Sequence, residues 1–549
     1  RLTFNHTVTD DPHVMCNLFA GFFASTFNPR DDTTLDFHFA SNFNVNRFHV
    51  SEERVRKELE SLDVNKGNGP DLIPPIVLKK CSVQLSKPLT NLLNRLFMDG
   101  IFPTALKSSY VVPIPKTPNA TDVTSFRPIV IQPALAKVVE GLVLELISND
   151  IKSIIVPQQH GFCKGRSTQT NLVIYTDYIL SAFNRRHQVD SIYLDLSKAF
   201  DKISHSLLIS KLEGYGFCGL SLEWFKSYLN GRSLKVKLGN HLSEEFPPTS
   251  GVPQGSKLGP ILFNLFVNDI ISHLSSEYLL FADDLKIFKE IYSRDDCLNL
   301  QRDLNLIAEW CDDNKMVINS TKCLTITFCR LKNPVAFNYT VSGDIKRVTS
   351  INDLGVSLTT NLSPDAHIDA VSLKANKMLG FIFRMSRGTF GDETLLLLYK
   401  ALVRPNLEYC TLVWSPHYAS HIHKLQSIQN KFCRLQGVRR GAAYREVSVP
   451  ALEQEFLLPT LECRRRMFDI IFLHKLINGA IDSPELLSRI SLLVPAGTRS
   501  RNMFSTCHHS NNYSYHGPIA RLHRRGNSIP SDGDMFYDSI AHLKKRLQQ

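Results

Sequence analysis

Two adjacent aspartates, Asp283 and Asp284, sit in "EYLLFADDLKIFK" between the apolar runs Leu279–Ala282 and Leu285–Phe288, each of strand length. Like charges repel and desolvation of either carboxylate is costly. A tight hairpin turn explains such a pair equally well, since Asp is a common turn residue. A third carboxylate has a similar setting. In "DSIYLDLSKAFD" the strand-like Ser191–Leu194 ends on Asp195, which could also cap the helix-forming residues after it. If the two strands lie side by side, Asp195, Asp283 and Asp284 converge at one sheet edge. Carboxylates so placed call for hard divalent cations with oxygen ligands. Two Mg²⁺ ions about 3.5–4 Å apart stabilise the attacking and leaving oxygens of an in-line phosphoryl displacement.

The elements around these residues divide the chain. "SEERVRKELESL" predicts a helix capped by Ser51, and "QLSKPLTNLLNRLFMDG" a second one closing at Gly100, with the Pro/Gly/Asn-rich loop "DVNKGNGPDLIPP" between. The first hundred residues therefore read as mostly helical. "SSYVVPIPK", "FRPIVIQ" and "DSIYLDL" then read as strands, alternating with helical "PALAKVVEGLVLELISND" and "EWFKSYLNG". Beyond the aspartate pair, "LNLQRDLNLIAEWCDDNKM" is helical, "CLTITFC", "FNYTVSGDIKRV" and "DLGVSL" are strand-like, and Ser342–Gly343 marks a hairpin turn. From about residue 365 the period is helical. In "HIHKLQSIQNKFCRL", Ile422, Leu425, Ile428, Phe432 and Leu435 form one stripe flanked by Lys424, Lys431 and Arg434.

Composition sets the class. At 549 residues the chain is too long for one core, and 43% hydrophobic content suffices for several. Sixty-three Lys and Arg against 52 Asp and Glu give a formal charge of +11, favouring an anionic partner. The twelve cysteines contain no CxxC pair and read as reduced, intracellular thiols. "CHHS" at 507–510 with His516 lacks a second Cys at zinc-ligand spacing and reads as a polar loop. The longest apolar stretches are broken well short of a membrane span, so no membrane partner is expected. The chain opens on Arg1 rather than Met and reads as part of a longer polypeptide.

Taken in order, "LDLSKAFD", "SGVPQGSKLGPILF" and "FADD" resemble motifs of reverse transcriptases, particularly those of jockey-like, LINE-type non-LTR retrotransposons. "LDVNKGNGPDLIPPIVLKKC" resembles the block such enzymes carry before the fingers. "PIPK" with "SFRPIVI" and "QHGFCKGRST" resemble the fingers, and "NKMVINSTKC" and "DLGVSL" the later palm motifs. "LEYCTLVWSP" and "IHKLQSIQNKFCRL" resemble the helical region after the palm, so the likeness covers roughly 50–440. Leu72 stands where the family usually has Gly.

The resemblance implies an α+β right-hand polymerase fold: a mainly helical extension at 1–95, fingers and palm at 96–360, helical thumb and connection at 361–480, and a partly irregular region at 481–549. It implies an RNA-directed DNA polymerase, a nucleotidyltransferase that copies element RNA from a DNA 3′-OH with two Mg²⁺ ions, for which Mn²⁺ could substitute. Asp195, Asp283 and Asp284 become its metal ligands and catalytic set. Phe200 becomes a steric gate against the ribose 2′-OH, Gln254 and Gly255 line the incoming nucleotide and template, Lys116 and Arg127 neutralise the triphosphate, and Lys322 acts as general acid to the leaving pyrophosphate. The implied partners are template RNA, primer or target DNA and dNTPs. Endonuclease activity would come from a missing N-terminal domain or another chain. The implied location is intracellular: the nucleus during integration, the cytoplasm as a ribonucleoprotein. A degenerate or co-opted protein that binds RNA without polymerising is the alternative. An RNA-dependent RNA polymerase would replace Phe200, and a telomerase would need an RNA-binding domain not recognisable in this sequence.

Overall fold

The computed structural model describes residues 1–549 except 5–6, 31–32, 35–36, 40–42, 387–388, 494–501, 507, 510, 530–533 and 549. Two sheets organise its first two-thirds. The smaller has four strands in the order β4-β3-β6-β7: β3 (Ser108–Pro115) pairs antiparallel with β4 (Phe126–Ile131) and parallel with β6 (Ser233–Leu238), which turns into β7 (His241–Leu242). Buried and more exposed residues alternate along the first six residues of β3, as in a strand with one covered face. Helix Pro12–Ala24 covers this sheet. Its Asp11 side chain accepts from the His13 and Val14 amides, Pro12 opens the first turn, and Phe19 and Phe23 bury against Val111 and Val236.

The larger sheet has five strands in the order β11-β10-β5-β9-β8, comprising Lys346–Val348 (β11), Leu324–Phe328 (β10), Gln188–Asp195 (β5), Asp284–Ile291 (β9) and Glu277–Phe281 (β8). Six of the eight residues of the central β5 are buried, because it is covered on both faces. Helix Thr168–Asn184 packs on β5 and β8, and helix Arg294–Asp313 packs on β9. The second is locked by Asp303, whose carboxylate accepts from the amides of Ser275 and Ser276 at the entry to β8.

In the N-terminal part the Ser51 side chain caps helix Glu52–Glu60, which packs against helices Ser82–Met98 and Ala134–Ile154. The first hundred residues are not helical throughout, for β1 (Leu2–Phe4) and β2 (Thr7–Thr9) form a hairpin. Leu72 has φ +58, a left-handed conformation that glycine adopts without steric cost and other residues do not.

Two strand assignments need correction. The Ser342–Gly343 turn is present, with φ +50 and +133, but it joins only an isolated Thr340–Asp344 bridge rather than two strands. "DLGVSL" is no single strand. Left-handed Leu354 and Gly355 fold it into a hairpin of β12 (Ser350–Asp353) and β13 (Val356–Thr359).

Beyond residue 365 the described residues are mainly helical. Helices Asp365–Met385 and Ala419–Arg439 pack together, the latter through Leu425, Ile428 and Phe432, leaving Lys424 and Lys431 exposed. Helix Leu461–Ile477 is tied to helix Pro518–Asn527 by a buried Arg521–Asp469 ion pair of 2.8 Å. Of the "CHHS" stretch, Cys507 and Ser510 lie outside the described residues.

Candidate active site

Strand pairing brings the three carboxylates to one edge. β5 and β9 run antiparallel in a register that places Asp195 directly opposite Asp284, and Asp284 is also opposite Phe281 across the β8–β9 hairpin. The two turn residues are Ala282 and Asp283, so only one member of the aspartate pair lies in the turn and Asp284 begins a strand. Ala282 has φ +57. The first central position of a type II′ hairpin turn needs such a positive value, and glycine is its usual occupant.

Electrostatics follow from this placement. Burial, then repulsion from Asp283, Asp353 and Asp195, pushes the Asp284 carboxyl up to about 6. Burial also raises Asp283, with Asp195 adding to the rise and Lys322 and Arg127 opposing it. Lys322 Nζ lies 3.0 Å from Asp195 Oδ2, the one direct cation contact to this carboxylate among the described residues. The donor set is all oxygen, negatively charged and short of compensating cations, which suits a hard divalent ion. Among the described residues, however, no three His, Cys, Asp or Glu side chains are gathered closely enough to form a cage. The carboxylates therefore fit Mg²⁺ in donor chemistry and in strand register without being closed around one point.

The remaining sequence-derived residues lie at the four-stranded sheet and in the segments that follow β5 and precede helix Gly259–Val267. Arg127 is exposed on β4, opposite Ile114, and Lys116 follows β3 with Nζ donating to the Thr124 carbonyl at 2.8 Å. Burial lowers the Lys116 ammonium's pKa, and the like charges of Lys322 and Arg127 lower it further, so three cations face one region from two sheets. Phe200 is half-buried, stacked on Phe263 at 4.5 Å and 14°, with Phe162 edge-on at 6.1 Å. That packing holds the Phe200 ring between two other aromatic side chains. The "PQG" loop docks on β4: the Val130 amide donates to the Gln254 carbonyl at 2.9 Å. Gly255, at φ +117, leaves no room for a Cβ, which would lie 2.8 Å from the Val130 carbonyl oxygen. The Gln254 amide donates to Asp201 Oδ1 at 2.9 Å.

Several neighbours went unnoticed in the sequence. An open cleft of about 400 Å³ is lined by Asp195, Asp284 and Lys322 together with Lys286 and Asp353. Lys286 Nζ meets Asp353 Oδ2 at 2.6 Å, both side chains almost fully buried, and Tyr193 Oη donates to the same oxygen at 2.9 Å. A lysine inside the apolar run "LKIF" was the available signal, because buried lysines need a partner. Asp201, next to Phe200, is buried and pushed up to about 6 by desolvation.

The family described as reverse transcriptase (RNA-dependent DNA polymerase) matches residues 114–381. The chain is 28% identical over 429 residues to the RNA-directed DNA polymerase from mobile element jockey of Drosophila melanogaster, covering 73% of this chain and 46% of that protein. It is 29% identical over 385 residues to the probable RNA-directed DNA polymerase from transposon X-element of the same species, covering 68% and 42%. The chain thus spans about half the length of the curated relatives it matches. Among solved structures, apo telomerase from Candida Tropicalis aligns over 70% of this chain and 65% of that one, at 12% identity and a TM-score of 0.38. Over residues 114–381, which contain the end of β3, all of β4, β6 and β7 and the whole five-stranded sheet, the chain is thus similar to reverse transcriptase domains, and beyond them to the RNA-directed DNA polymerases of mobile elements.

Proposed function

We propose that the chain is an RNA-directed DNA polymerase that copies the RNA of a mobile element into DNA from a DNA 3′-OH. The observation that carries this reading is the register of β5 and β9, which sets Asp195 opposite Asp284 with Asp283 in the adjoining turn, inside a reverse transcriptase domain. Asp195, Asp283 and Asp284 would hold two Mg²⁺ ions, which when bound stabilise the attacking 3′-oxygen and the leaving oxygen of pyrophosphate.

The protein's own groups do the rest. Arg127 and Lys116 orient and neutralise the triphosphate from the fingers. Phe200, held by Phe263, fills the space a ribose 2′-OH would need. Gln254, fixed by Asp201, and Gly255, with its bare backbone, face nucleotide and template. Lys322 moves from Asp195 to donate a proton from Nζ to the departing pyrophosphate. Residues 96–360 serve as fingers and palm, 361–480 as thumb and connection, and the exposed Lys424 and Lys431 meet phosphates without reading sequence. The partners are template RNA, primer or target DNA and dNTPs, with endonuclease supplied from outside these residues. The reaction takes place inside the cell, on nuclear DNA during integration.

No helix among the described residues is long and apolar enough to cross a membrane. Incubation of the purified chain with an RNA template, annealed DNA primer, Mg²⁺ and dNTPs should give extension products. RNA binding without extension would replace this reading with that of an RNA-holding protein.

A further inference from the structure

The residue before Asp283 is held from a distant part of the chain. Ala282 is left-handed, a conformation that is sterically unfavourable for any residue but glycine. The Gln159 side chain, 1% exposed, meets both polar groups of this residue: Oε1 accepts from the Ala282 amide at 3.0 Å, and Nε2 donates to the Ala282 carbonyl at 3.4 Å. The same Oε1 accepts from the Gly161 amide at 2.8 Å. Backbone bonds align the strap beside β8, with the Leu280 amide donating to Gln158 and the His160 amide donating to Leu280. Gly161 lies so close that a Cβ there would sit 2.2 Å from the Ala282 nitrogen, and its carbonyl is fixed by Asn264 Nδ2 at 2.8 Å. Gln159 contacts no aspartate of the set, yet it is bonded to the peptide groups on both sides of the residue that aims one of them.

We propose that Gln159 is a positioning residue for the polymerase reaction, its carboxamide holding Ala282 left-handed so that the Asp283 carboxylate faces Asp195. The inference rests on the polymerase reading and adds a residue to it. Gln159→Leu keeps the volume and removes all three side-chain hydrogen bonds, the two to Ala282 and the one from Gly161. It should lower kcat for single-nucleotide addition about 10²-fold, as expected for a displaced catalytic group, with KM for the nucleotide within about twofold. Ala282→Gly in the same chain removes the steric cost of the left-handed turn and should recover at least tenfold of that loss. Mn²⁺ binding by the purified protein, read by electron paramagnetic resonance, should weaken in Gln159→Leu and recover in the double variant. A purely packing role for Gln159 would show no such rescue.

Wild-type extension with an undiminished kcat in Gln159→Leu overturns the inference and leaves the polymerase reading standing. A folded double variant as impaired as the single one also overturns it. A wild-type chain that neither extends primers nor binds Mn²⁺ overturns both.

Discussion

The five-stranded and four-stranded sheets, the proposed palm and fingers, contrast in how far their strands are covered. β5 of the five-stranded sheet is buried on both faces and sets the Asp195 backbone opposite that of Asp284, so the placement of this pair rests on a stiff element. β4 of the four-stranded sheet keeps Arg127 and Ile129 exposed, and β3 alternates covered with open residues. On the proposed reading, the difference teaches that the groups that would hold metal are placed on the stiff element, whereas the cations that would meet a substrate that arrives and leaves are on the open one.

Stability should separate the sheets first. Ile287→Ala, at a fully buried position of β9, should cost about 2–5 kcal/mol by denaturant unfolding, and Ile129→Ala, 41% exposed on β4, about 0.5 kcal/mol or less. Equal losses would erase the contrast.

The second test concerns pH. The folded Asp201 carboxyl titrates near 6, above its ordinary 3.8, so the stability it contributes is complete below about 4 and is lost as pH rises through 6. Asp201→Asn keeps an acceptor for Gln254 and carries no charge. It should be more stable than the wild type at pH 8 by an amount on the order of 3 kcal/mol, with the gap closing at pH 4. A gap of the same size at both pH values would contradict the assignment.

On the fingers, Arg127→Ala should raise KM for the incoming nucleotide about tenfold while kcat changes less, in line with one lost charge-assisted contact of about 1.4 kcal/mol. A fall in kcat alone would move Arg127 from substrate binding to the chemical step. At the junction of the two sheets, Phe200→Ala should reduce discrimination against ribonucleotides by about tenfold. Unchanged sugar selectivity in competition assays would remove the gate assignment.

Much of this arrangement was legible in the sequence, for local reasons. Ser51 caps its helix, and Asp195 ends a strand after the short apolar run Ile192–Leu194. Both properties belong to a few consecutive residues. The site's supports were not legible, because they join segments far apart in the chain. Lys286 and Asp353 are 67 residues apart, and Gln159 and Ala282 are 123 apart. Nothing near Gln159 signals that its amide will meet a turn across the palm. The errors also have a physical origin. In "DLGVSL" the strand-like composition outweighed Gly355, whose φ of +85 turns the chain, and around Ser342–Gly343 a turn was present without enough paired backbone to make strands.

The central claim is that this chain transfers nucleotides at the carboxylates set by the β5–β9 register. Rapid-quench measurement of one-nucleotide addition to a DNA primer on an RNA template, with Mg²⁺, tests it directly for the wild type and Asp283→Asn. The account predicts measurable addition by the wild type and a rate at least about 10³-fold lower in the folded variant, corresponding to several kcal/mol of lost transition-state stabilisation. Equal rates in the two proteins would contradict it.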